Sequence, residues 1–141
     1  MNLFSIDDLP YVEFGNEIKR KVRLVISPYT NVDSNVNIVH VFSPPKGISE
    51  GHAHPDCDEM IYFDNDGVAI IDGKEFSVKK NSIVYAPQWS THECRNTNET
   101  EQLNLLCIFV PAFKPYGNYP ELIKKTKEYF EKIGSINNEI D

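Results

Sequence analysis

The stretch His52-Ala53-His54-Pro55-Asp56-Cys57-Asp58-Glu59, answered downstream by Pro87-Gln88-Trp89-Ser90-Thr91-His92 and by Asn96, decides how this chain reads. His52 and His54 are two residues apart, a spacing that puts both side chains on one face of a β-strand. Both imidazoles can then reach one ion at ~2.1 Å, the usual length of a nitrogen–metal bond. Glu59 lies five residues beyond His54, an offset that would send it to the opposite face of a continuous strand. Pro55 favours a break, so Glu59 can open a new strand at its own angle. His92 must arrive from a distant strand to close a site of three imidazoles and one carboxylate. A lone histidine is more often a surface residue or a satisfied core group, and His40 is read that way. Here four candidate ligands, a proline and an asparagine fall in order, and a motif gains weight when its context agrees.

Working outward, short strands alternate with turn signals. The pattern predicts strands over 21–27 and 35–42, a third through His52 and His54, and others over 59–63, 68–71, 75–78, 82–86, 92–96 and 103–110. Asp72-Gly73 between two of them is a strong hairpin signal. The run 103–110 is nearly all apolar, which predicts burial on both faces. One helix is expected late. Pro120 suits its first turn, Leu122, Thr126, Tyr129 and Ile133 form a stripe, Glu121 and Lys125 pair one turn apart, and Gly134 can end it. This ordinary amphipathic pattern fits a helix packed on the outside of the barrel better than a lid. Eight or nine strands and a late helix predict an all-β, double-stranded β-helix or jelly-roll barrel with a C-terminal α-helix. The expected division is an N-terminal extension over 1–20, the barrel over 21–113, and the helix and tail over 114–141, all within one domain.

The motifs resemble those of the cupin superfamily. Its first motif, G-x5-H-x-H-x3-4-E-x6-G, is matched by His52, His54 and Glu59, with Gly47 and Gly67 each one residue late. Its second, G-x5-P-x-G-x2-H-x3-N, is matched by Pro87, His92 and Asn96, while Asn81 and Trp89 stand where the family has glycines. The motifs span about 47–96, and flanking strands extend the likeness to roughly 21–110. The resemblance implies a metal held by His52, His54, Glu59 and His92, and a homodimer that protects exposed strand edges. Cupins with this ligand set include dioxygenases, decarboxylases, isomerases and lyases, and a shared fold selects none of them.

Composition narrows the partners. The 141 residues suit one domain with a substantial core. The formal net charge of −7 and the absence of a basic cluster exclude nucleic acid and anionic membranes as natural partners. No apolar run approaches membrane-spanning length. Three cysteines without framework spacing predict reduced thiols and a cytoplasmic location.

Three nitrogen donors and one oxygen donor suit one divalent Fe, Mn, Ni, Co or Zn ion. Four protein ligands leave two positions open on an octahedral ion, where a small-molecule substrate or O2 can bind. Strand parity places Ile61 and Phe63 with Glu59, and Cys94 and Asn96 with His92. The expected pocket therefore includes Ile61, Phe63 and Cys94, with Trp89 near its mouth and Arg23 as a cation for an acidic substrate. Cys94 and Cys107 equally fit small buried apolar residues. Cys57, in the loop between ligands, is expected to face solvent, and Asn96 to brace its turn.

The reading favoured by these residues is a metal-dependent enzyme acting on a small oxygen-rich molecule, a carboxylate, diketone or sugar-like compound. It would work by dioxygenation or by Lewis-acid isomerase or lyase chemistry, with Glu59 or a bound water moving a proton. The alternatives are a non-catalytic cupin that binds a small ligand, and a structural subunit whose metal only staples the barrel.

Overall fold

The computed structural model describes residues 3–140, with side chains described as far as residue 134. The strands are β1 (Val12–Phe14), β2 (Arg20–Ile26), β3 (Asn37–Ser43), β4 (Ile48–His52), β5 (Asp58–Phe63), β6 (Gly67–Ile71), β7 (Lys74–Val78), β8 (Ser82–Ala86), β9 (His92–Arg95) and β10 (Leu103–Val110), followed by α1 (Tyr119–Ile140). Hydrogen bonds divide them into two facing sheets, one ordered β1-β2-β3-β10-β5-β8 and the other β4-β9-β6-β7. Their pairings are antiparallel. The orders β3-β10-β5-β8 and β4-β9-β6-β7 are those of an eight-stranded jelly roll, and β1 and β2 widen its first sheet.

Strand alternation builds the core. On the inner face of the larger sheet, Phe63 stands beside Leu105 and Val41, and the next row is Ile61, Cys107, Val39 and Leu24. These side chains are buried and belong to one apolar cluster with Ala69, Val78 and Cys94 from the facing sheet. The turn at Asp72-Gly73 has left-handed φ values of 48° and 80°, as the predicted hairpin requires.

Several boundaries differ from the sequence reading. β10 is buried on one face only: Leu103, Leu105, Cys107 and Phe109 are buried, whereas Asn104, Leu106 and Ile108 are half-buried on the outer face. β1 lies inside the segment expected as an extension and pairs with the start of β2. The helix runs through Gly134 to Ile140; one glycine costs a helix only about 1 kcal/mol, and no proline follows it. Its buried stripe begins as expected, with Leu122 and Thr126 fully enclosed against the sheets.

From β3 to β10 the chain changes sheet at every connection except the β6–β7 hairpin. The segments joining β4 to β5 and β8 to β9 therefore both cross from one sheet to the other. These are the two segments that carry the histidine motifs.

Candidate metal centre

His52 ends β4 and stands opposite His92, the first residue of β9. Glu59 comes from the other sheet, on β5 between Phe109 and Ala86. His54 is not on a strand at all, because β4 stops at His52. The two imidazoles of the first motif therefore do not share the face of one strand, as their spacing suggested. The break comes two residues earlier than Pro55, where the chain leaves one sheet for the other. Hydrogen bonds between the crossing segments fix His54 instead. The Trp89 amide donates to the His54 carbonyl at 3.0 Å, the Gln88 amide donates to Asp58 Oδ1 at 2.8 Å, and the Gln88 side chain donates to the Pro55 carbonyl.

One donor atom from each of His52, His54, Glu59 and His92 lies within 4.8 Å of every other. His54, Glu59 and His92 are buried, while His52 is exposed. His54 Nε2, Glu59 Oε2 and His92 Nε2 are buried polar atoms without a hydrogen-bond partner. Glu59 Oε2 and His92 Nε2 approach to 2.7 Å, but without the alignment of a hydrogen bond. An unsatisfied buried polar atom costs roughly 1–3 kcal/mol. Three of them turned toward one point fit a divalent cation, which would satisfy all three.

The outer nitrogens support the same fit. His52 Nδ1 lies 2.7 Å from the Glu50 carbonyl and His92 Nδ1 lies 3.2 Å from the Ser90 carbonyl. A carbonyl only accepts, so each Nδ1 carries the proton and each Nε2 presents its lone pair to the cluster. Burial pushes the His54 imidazole down to about 4, with help from the flanking histidines and against the pull of Glu59. Burial also lowers His52. At His92 burial acts downward too, but the neighbouring Glu59 carboxylate outweighs it and the net shift is upward.

Asn96 is buried and braces the second motif. Its side-chain amide reaches the carbonyls of Ser43, Pro44 and Glu101 at 2.9–3.1 Å, and its Oδ1 accepts from the Asn98 amide at 3.0 Å. The positions where the family motifs carry glycine keep a left-handed backbone without it: φ is 69° at Asn81 and 70° at Trp89. Lys46, one residue ahead of Gly47, does the same at 65°. For a residue with a Cβ this conformation costs roughly 1–2 kcal/mol. Trp89 is 69% exposed and gives back little by packing. Trp89→Gly is expected to stabilise the protein by about 0.5–1 kcal/mol, after subtracting the entropy glycine adds to the unfolded chain. Urea unfolding checks this, and a destabilised variant would mean that the indole packs against something of value.

The cluster opens into a cavity of roughly 850 Å³ between the sheets. Ile61 and Cys94 line it, as strand parity predicted. Three expected pocket residues do not. Phe63 has the right parity but lies deeper, wholly enclosed in the core. Trp89 projects outward from its left-handed turn. Arg23 alternates with buried Val22 and Leu24, so it faces the outer side, where its Nε donates to the Leu9 carbonyl at 3.1 Å and its guanidinium lies over the Tyr11 ring. Cys57 also departs from expectation: its loop folds inward and buries it to 2% exposure. Burial pushes its thiol up to about 11 and that of Cys94 up to about 12, so both stay protonated at neutral pH.

The cavity contains residues that the sequence reading missed. Arg20, at the start of β2, lines it together with Tyr116 and Tyr119 near the start of α1. Parity identifies Arg20, since Val22 and Leu24 share its face. The tyrosines carry no periodic signal, because the segment after β10 is irregular. His54 sits among aromatic rings, 5.1 Å from Phe109 and 6.2 Å from Tyr116 between centroids.

This jelly roll, with three histidines and a glutamate clustered where its two sheets meet, has the cupin fold. The chain superposes on a predicted oxalate decarboxylase from Thermotoga maritima with a TM-score of 0.70 and 16% identity, covering 77% of this chain and 98% of that one. A cupin 2 conserved barrel domain protein from Rhodopseudomonas palustris matches at 0.63 and 12% identity, over 77% and 75% of the two chains. KdgF from Halomonas sp. matches at 0.62 and 15% identity, over 79% and 94%. No family model and no curated protein matches the sequence. At these identities the likeness establishes fold alone, and function must be argued from the site. No helix among the described residues is long and apolar enough to cross a membrane.

Proposed function

We propose that this chain is a metal-dependent cupin enzyme that acts on a small oxygen-rich molecule, by dioxygenation or by Lewis-acid isomerase or lyase chemistry. The observation that carries the proposal is the trio of unsatisfied buried atoms, His54 Nε2, Glu59 Oε2 and His92 Nε2, facing a cavity large enough for a small metabolite. His52, His54, Glu59 and His92 would hold one divalent ion, and the mixed nitrogen and oxygen set suits Fe, Mn, Ni, Co or Zn. Such an ion would polarise a substrate oxygen or bring O2 and substrate together.

The chain's own groups supply the rest. His54 is enclosed by aromatic rings that limit water at its side of the site. Glu59 presents a carboxylate oxygen beside His92 Nε2, where the carboxylate or a bound water could take a proton from substrate. Tyr116, whose phenol burial pushes up to about 12, stays protonated and can donate a hydrogen bond into the cavity.

The test is metal content of protein purified without a metal-chelating tag, beside a His52→Ala/His92→Ala control, followed by O2-uptake and isomerase or lyase assays over carboxylates, diketones and sugars. About one transition metal per chain, lost in the control, together with turnover, is the expected result. Metal and ligand binding without turnover would favour a ligand-binding cupin. A protein that stays metal-free after reconstitution would overturn the proposal.

A further inference from the structure

Building on that metal-site reading, we propose that Arg20 is a second substrate anchor. Its guanidinium binds a carboxylate of a molecule whose other end sits at His52, His54, Glu59 and His92, so that the cavity selects small dicarboxylates over neutral diketones and sugars.

The placement follows from the strand. Arg20 opens β2 two residues before buried Val22 and four before buried Leu24, so it shares their inward face. Its backbone pairs with Phe14 of β1, and the Phe14 ring lies 5.7 Å from the Tyr119 ring. Both rings line the cavity beside Arg20. Nearby inward positions are apolar, among them Val22, Val39, Val41 and Leu105. This cation therefore projects into a mostly apolar chamber.

Among the described residues it has no hydrogen-bond or ion-pair partner. Arg20 Nε is buried and makes no hydrogen bond, and no carboxylate among the described residues lies within ion-pair distance of Arg20. Glu50 lines the same cavity without pairing with it. Other arginines and the cavity-mouth lysine are engaged. Arg23 donates to a carbonyl, Arg95 lies 2.6 Å from Glu93, and Lys46 lies 3.3 Å from Glu99. A guanidinium drawn out of water without acceptors is costly. Its rigid fork of donors matches a carboxylate, which can accept two of its N–H groups at once. A ligand with one oxygen-bearing end for the metal and a carboxylate for Arg20 satisfies both sets of unpaired atoms. A neutral ligand satisfies only one.

The test follows the Arg20 Nε–Hε NMR cross-peak, assigned as the one that persists in Arg23→Lys and Arg95→Lys, which remove the other two arginines of the chain. Zinc-loaded and metal-free full-length protein are each titrated with succinate and glutarate, and with their diamides. The dicarboxylates are expected to move the peak and the diamides to leave it in place. Zinc-loaded protein should bind each dicarboxylate at least tenfold more tightly than its monoamide. Arg20→Gln should shrink that preference below twofold, Arg20→Lys should keep part of it, and zinc stoichiometry should stay the same in both. A peak that ignores the dicarboxylates, or follows the diamides equally, overturns the assignment even if Arg20→Gln fails to fold. Failure to take up zinc would instead count against the metal reading. The Arg20 peak in metal-free protein would still decide whether Arg20 binds carboxylate.

Discussion

His92→Ala is expected to abolish the thermal stabilisation that a divalent metal confers on this protein. An ion that binds only the folded state adds about 4 kcal/mol when present at 1,000 times its Kd. For a chain of this length that is a rise in Tm of roughly 12–16 °C. His92 stands at the centre of the cluster. Its ring centroid lies 4.4 Å from that of His52 and 5.3 Å from that of His54, and its Nε2 meets the Glu59 carboxylate. Losing a residue that merely orients a ligand typically costs about 10–100-fold in metal affinity, and losing the ligand itself should cost more. The metal-free variant should stay folded. The alanine leaves its space open to the cavity and relieves the close approach to Glu59. The check is thermal unfolding of wild type and variant, each with stoichiometric zinc and with EDTA. A zinc-induced shift in His92→Ala as large as in wild type would remove His92 from the site and undo the proposed ligand set.

The parts of this structure legible in the sequence are those governed by local period. β8 spans the predicted 82–86, β10 spans 103–110, and the Asp72-Gly73 hairpin forms as its residues require. The four residues named as ligands come together although they arise from two sheets and a crossing segment, because their order in the chain encodes a topology. Period also marked Arg20 as inward and Arg23 as outward, and choosing Arg23 neglected the alternation of its own strand. What local pattern could not supply is tertiary. Val12–Phe14 is too short to show a period, and becomes a strand only because the start of β2 offers a partner. Cys57 lies in a polar stretch between Asp56 and Asp58, yet its loop turns inward. Trp89 occupies a left-handed turn because the hydrogen bond from its amide to His54 fixes the backbone there, whatever the side chain prefers.

Phe63 carries the second large effect, and it separates core from pocket. Parity alone placed it with Glu59 and Ile61, among residues that could touch a substrate. In the structure it is fully enclosed, beside Leu105 on one side and Ser82 on the other. Gly67 lies so close that an added Cβ would come within 3.0 Å of its ring. Close packing of this kind leaves little room for collapse after truncation, so Phe63→Ala should destabilise by about 3–5 kcal/mol, the range for buried phenylalanines. That is a large share of the roughly 5–15 kcal/mol that holds a domain folded. Phe63→Leu, which keeps most of the volume, should cost under about 1.5 kcal/mol. Urea midpoints at unchanged slope measure both. Metal stoichiometry of the folded variants should match wild type, because Phe63 lies four residues along β5 from Glu59, deeper in the core. A phenylalanine lining the pocket would behave in the opposite way. Its loss would enlarge the cavity, cost little stability and change ligand affinity, and that outcome would move the floor of the cavity down to Phe63.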